Sequence, residues 1–256
     1  MNVTQSADGT AIAFDQLGSG SPIILVSGAS CTRGVHSPLA ELLSAGHTVL
    51  NYDRRGRGDS GDTPPYAVER EIEDLAALIA EAGDSAAVFG NSSGAILALR
   101  AAAAGLPVTR LALWEPPFQL DADAPRRARA YVTELTTCLA EDRRGDAMAL
   151  FMRFVGMPPV VIDQMRQAPM WASMEAIAPT LAHDAAIVGD GGLPAGLTEV
   201  GIPTLVLTGS ETGAWAPAAA VALLDALPSG RHTTLDGQDH NVSWDVLAPP
   251  LASFLS

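Results

Sequence analysis

Ser92 is the residue best placed to do covalent chemistry. It lies in Gly90-Asn91-Ser92-Ser93-Gly94, between the apolar run SAAVFG and the helix-forming AILALRAAAA. A G-x-S-x-G turn joining a strand to a helix drives its central side chain clear of the backbone, and the helix start that follows aims free N–H groups at developing negative charge. The spacing selects Ser92 over Ser93. A serine hydroxyl is a weak nucleophile near neutral pH and needs a base, which in turn needs an orienting group. Histidine and carboxylate are the side chains suited to those tasks. The chain has five histidines, at 36, 47, 183, 232 and 240, and two carboxylates that follow apolar runs: Glu115 at the end of RLALWE and Glu211 beyond TLVLTG.

The surrounding pattern shows what must hold these residues. TAIAF, PIILVSG, HTVLNYDRRG, SAAVFG and RLALWE are short β-rich runs separated by helical patterns, which predicts a parallel sheet with crossover helices. The unbroken apolar run Ile23 to Val26 suits a strand buried on both faces. AVEREIEDLAALIAEAG carries Val68, Ile72, Leu75 and Ile79 at helical spacing, with Gly83 at the position of a C-terminal cap. Its charges read as the solvated face of a helix covering the sheet. From Pro116 to Leu197 no strand pattern appears, only helical segments broken repeatedly by Pro. Strand character then resumes with TLVLTG and RHTTLDG, and the chain closes on a helix from about Val242.

This arrangement resembles the α/β-hydrolase fold, serine-nucleophile branch, over nearly the full length. Besides the G-x-S-x-G turn, DRRGRGDS (Asp53 to Ser60) matches a D-x-R-G-x-G-x-S loop of that fold, where it is structural, so no catalytic role falls to Arg55 or Asp59. LVSGAS (Leu25 to Ser30) stands where the family has its first oxyanion-hole loop, with Ser27 replacing the usual His. The resemblance implies a mostly parallel eight-stranded sheet with helices on both faces and an inserted helical cap. The core would comprise residues 1–115 and 198–256, and the cap 116–197. It also makes His240, in LDGQDHNVSWDVLAPPLASFL, the base that takes the Ser92 proton, and the backbone N–H groups of Ala29 and Ser93 the oxyanion hole. The other histidines lack that context, although His36 could touch the pocket mouth and His183 could face inward from the cap. Asp239, next to His240, is badly placed to orient it.

The acid remains open at this level. The family's commonest position, three residues beyond the Gly of TLVLTG, holds Thr212, with Glu211 one residue early. Its second position is the strand end at Glu115, where Pro116 and Pro117 would fix the chain's exit and bias Glu115 toward extended backbone. Glu115 is the first choice, Glu211 the second, and no carboxylate the third. Cys31, Met165, Trp171 and Trp215 are candidate pocket residues, although Cys31 reads first as a small buried thiol and Met165 and Trp171 as cap core.

The implied activity is cleavage of a carboxylic ester, thioester or lactone through an acyl-enzyme on Ser92, with no cofactor and no metal. Perhydrolysis or C–C cleavage would use the same residues. A different class stays open as well: a non-hydrolytic protein of this fold that binds or cyclises a natural-product intermediate, motivated by Ser27 and the displaced acid. The partner expected is an apolar, ester-like small molecule. A formal charge of -14, from 29 acidic against 15 basic residues, would repel nucleic acid and anionic membrane. No basic, apolar leader or membrane span is evident, so a cytoplasmic monomer or homodimer is expected. Cys31 and Cys138 have no metal-ligand spacing and are expected as free thiols.

Overall fold

The computed structural model describes residues 1–255. Eight strands form one sheet: β1 (Asn2–Gln5), β2 (Ala11–Leu17), β3 (Ser21–Val26), β4 (His47–Tyr52), β5 (Ala86–Asn91), β6 (Val108–Trp114), β7 (Thr204–Gly209) and β8 (Gly230–Leu235), in the spatial order β1-β2-β4-β3-β5-β6-β7-β8. Only the β1–β2 and β2–β4 pairings are antiparallel. The sheet is thus the mostly parallel one expected. Its eighth strand, β1, was not legible in the sequence because NVTQ has one buried residue in four and lies at an edge.

Side-chain alternation divides the core. In β3, Ile24 and Val26 point to one face, against helices α2 (Val68–Glu81), α3 (Ser93–Ala103) and α9 (Trp215–Ala226). Ile23 and Leu25 point to the other, against α1 (Ser37–Leu43) and α10 (Trp244–Leu255). A strand buried on both faces has no polar side to show water, which is why its sequence is continuously apolar.

Between β6 and β7 the chain forms α4 (Ala124–Ala140), α5 (Arg144–Phe154), α6 (Pro159–Arg166), α7 (Trp171–Ile177) and α8 (Leu181–Val188). Its central part has a core of its own, including Tyr131, Leu135, Met148 and Trp171. Helix α8 joins both, with Leu181 in that core and Ile187 in the core beside the sheet. The strand order reverses between β3 and β5, whose carboxyl ends lie side by side. In open α/β sheets such a switch point leaves a crevice outside the strand ends, where ligands bind.

Candidate active site

Ser92 occupies that switch point. It has φ 54° and ψ −124°, a conformation that L-residues rarely adopt. The two glycines of the turn make it sterically accessible. A Cβ at Gly90 would lie 2.6 Å from Ala95 Cα, and one at Gly94 would lie 2.4 Å from the Val26 carbonyl oxygen. Side chains there would force α3 away from β5 and β3. Ser92 N–H donates to the Trp114 carbonyl at 2.9 Å, which ties the turn to the end of β6.

The next residue along β6 is Glu115, wholly buried. Its Oε2 lies 2.7 Å from His240 Nδ1, and its Oε1 accepts the Gly209 N–H at 2.8 Å. Both carboxylate oxygens are therefore engaged, and the imidazole is gripped on Nδ1. Trp114 Nε1 donates to the His240 carbonyl at 3.1 Å, so one tryptophan anchors both Ser92 and His240. The Trp215 ring stands edge-on to the His240 ring, 5.7 Å between centroids. No direct Ser92–His240 hydrogen bond is present among the described residues. Such bonds are often long in resting enzymes and shorten when substrate binds.

The backbone of Glu115 departs from the extended form expected ahead of Pro116, because its φ is +43°. The reason is tertiary. Its N–H is held by the Leu207 carbonyl at 3.0 Å while its carboxylate is held by Gly209 and His240, and together these override the local preference. A non-glycine residue so placed costs on the order of 1–3 kcal/mol, offset by such contacts.

Glu211 is exposed, and its Oε1 accepts a bond from the neighbouring Ser210 hydroxyl at 3.3 Å. Thr212 Oγ1 is enclosed without a partner. Met165 and Trp171 pack in the core of the inserted helices, with Trp171 Nε1 donating to Glu175 at 2.8 Å and the Arg166 guanidinium over its ring, 5.5 Å from the centroid. Both therefore take part in the core of the inserted helices, the first of the two places expected of them. Trp215 does meet the site. Cys31 follows the loop after β3, where burial raises its thiol pKa.

His36 is enclosed between Phe89 and Trp244 rather than at a pocket mouth, and burial lowers its pKa to about 4. His183 stacks on Tyr66 with 3.8 Å between ring centroids.

The site has a floor that residue spacing did not reveal. Arg54 and Arg57, from the loop after β4, are both buried. Asp184 of α8 accepts Arg54 Nη1 at 2.8 Å on Oδ1 and Arg57 Nη2 at 2.6 Å on Oδ2. The same Oδ1 accepts the Ser93 hydroxyl at 2.8 Å. Arg54 also grips Glu71 through Nε and Nη2, at 2.7 and 2.8 Å. Burial alone would raise the Asp184 carboxyl, but the two guanidiniums hold it below its usual pKa. The signal in the sequence was the crowding of three arginines in DRRGRG. Their partners, however, lie on remote helices that no spacing rule connects.

The sequence profile of the alpha/beta hydrolase family matches residues 23–249. The chain belongs to that family. Among solved alpha/beta hydrolase structures, one from Sphaerobacter thermophilus is 52% identical, covers all of both chains and superimposes with a TM-score of 0.91. An esterase from Exiguobacterium antarcticum shares the fold at 18% identity and TM-score 0.76, over 99% of this chain and 98% of that one. N-formylmaleamate deformylase of Pseudomonas putida is 39% identical over 124 residues, 46% of this chain and 44% of the relative. Matches to the curated relatives span only 34 to 44% of their length. Among the described residues, no helix is long and apolar enough to cross a membrane, and no group of three or more His, Cys, Asp or Glu could hold a metal ion.

Proposed function

We propose that this alpha/beta hydrolase is a serine hydrolase that cleaves a carboxylic ester, thioester or lactone. The observation that carries the reading is the 2.7 Å contact between Glu115 Oε2 and His240 Nδ1. A buried carboxylate on Nδ1 fixes the tautomer that leaves Nε2 free to accept a proton, and it stabilises the imidazolium that results. His240 Nε2 takes the Ser92 proton as Oγ attacks the carbonyl carbon. The oxyanion is met by the N–H groups of Ala29 and Ser93, and collapse breaks the C–O or C–S bond as the alcohol or thiol, still tethered in a lactone, takes the proton from His240. Water, deprotonated by His240, then attacks the acyl carbon, and the acid is released as Ser92 Oγ takes that proton back from His240.

Residues 116–197 act as a cap on a core of 1–115 and 198–256, and Trp215 lines the entry beside His240. The partial match to a named deformylase supports a hydrolytic role, and the named esterase shares the fold. The competing reading, a non-hydrolytic binder, rests on Ser27 and a displaced acid. The contact of Glu115 with His240 speaks against the second of these and so favours hydrolysis.

Labelling with a fluorophosphonate, followed by mass spectrometry, tests the reading. A single adduct on Ser92, and loss of p-nitrophenyl ester turnover in Ser92→Ala, are expected. An unlabelled Ser92 with unchanged turnover in Ser92→Ala would overturn it.

A further inference from the structure

The loop after β3 lacks the histidine usual at position 27, and Ser27 Oγ is buried without a partner. Something else must hold that loop. Arg57 Nη1 donates to the Gly28 carbonyl at 2.6 Å and to the Cys31 carbonyl at 3.3 Å. Arg54 Nη1 reaches the Ser27 carbonyl at 3.2 Å. The Gly28 C=O belongs to the same peptide unit as the Ala29 N–H. In a trans peptide these two groups point in opposite directions, so fixing one aims the other. A cation bonded to the carbonyl also polarises the amide and makes its N–H a stronger donor.

We propose that Arg57, clamped by Asp184, is a positioning residue for the oxyanion hole: it orients and polarises the Gly28–Ala29 peptide so that the Ala29 N–H faces the reacting carbonyl. Asp184 has a second hold on the same hole, since it bonds the hydroxyl of Ser93, the residue that supplies the other N–H. Both donors are thereby referred to one carboxylate, and that carboxylate comes from α8 of the inserted helices. The inference rests on the hydrolase reading and adds to it the groups that hold the oxyanion donors in place.

The test compares wild type, Arg57→Gln, Arg57→Lys and Asp184→Asn, with folding monitored by circular dichroism and cooperative melting. Turnover of a short p-nitrophenyl ester gives kcat and KM, and inhibition by an alkylboronic acid reports binding of a tetrahedral anion on Ser92. Arg57→Gln is expected to lower kcat about 10- to 100-fold, less than or equal to the loss of a whole donor. KM should stay within about threefold, and boronic acid affinity should fall in parallel with kcat. Arg57→Lys, which keeps the charge but not the fork, should recover part of both, and Asp184→Asn should fall between.

A folded Arg57→Gln protein with kcat and boronic acid affinity within about twofold of wild type would overturn the inference, as would a kcat loss that boronic acid affinity does not follow. If Arg57→Gln melts below the assay temperature, Arg57→Lys decides: wild-type kcat and boronic acid affinity would overturn the inference, and a parallel fall in both at constant KM would support it. Fluorophosphonate labelling of wild-type Ser92 settles the hydrolase reading separately. A labelled wild type beside an unaffected Arg57→Gln would therefore sink only the role of Arg57.

Discussion

Glu115 and Glu211 are chemically identical, and their surroundings separate them. Glu115 is buried with both oxygens bonded, one to His240, whereas Glu211 is exposed and bonds its neighbour. Replacing an orienting carboxylate by an amide leaves the shape but favours the wrong imidazole tautomer. Glu115→Gln is therefore expected to lower kcat by about a thousandfold or more. Glu211→Gln should change it little, by less than about threefold, because an exposed side chain away from the histidine has no differential contact with the transition state. Steady-state kinetics on both variants checks this, and the opposite ranking would move the acid to the later loop.

Among the elements, β7 carries a burden that its sequence did not advertise. Gly209 ends it, and its N–H holds Glu115 while the absence of a side chain leaves room for the loop after β8. A Cβ there would lie 2.0 Å from the Gln238 carbonyl oxygen, two residues before His240. Gly209→Ala should push that loop outward, lowering kcat at least tenfold or so and stability by about 1–3 kcal/mol, the usual cost of overpacking. Urea unfolding alongside kinetics measures both, and an alanine variant as active and stable as wild type would refute the steric reading. The strands around this site were legible from continuous apolar runs. The short edge strand β1 and helix α1 were not, since neither offers enough residues for a period to show.

At the scale of the whole molecule, acid sensitivity follows from buried imidazoles. His36 is fully buried with neither ring nitrogen bonded, and its pKa falls from 6.5 to about 4. Between these values the unfolded chain binds the proton that the folded one refuses, so stability is lost as pH drops from about 6.5 to about 4. The group's full contribution is about 3 kcal/mol. Burial depresses the stacked, buried His183 in the same direction. Asp184 and Glu71 are both held low by Arg54 and Arg57, so their contributions fade only at lower pH. His36→Leu should reduce the difference in unfolding free energy between pH 7 and pH 4.5 by about 2 kcal/mol. Urea titrations at the two pH values test it, and an unchanged difference would place the acid sensitivity elsewhere.

The sequence by itself determined the sheet apart from its edge strand β1, the helical insertion and the turn that carries Ser92, because apolar periodicity and glycine spacing are local and survive without coordinates. Resemblance brought in His240 and left the acid open between Glu115 and Glu211. Only the tertiary structure decided that Glu115 meets His240, that Met165 and Trp171 serve the core of the inserted helices, and that Arg57 and Asp184 brace the loop after β3. Each of those facts is a meeting between distant elements. Whether two buried charges face each other depends on how helices and strands pack, and no residue-by-residue pattern encodes it.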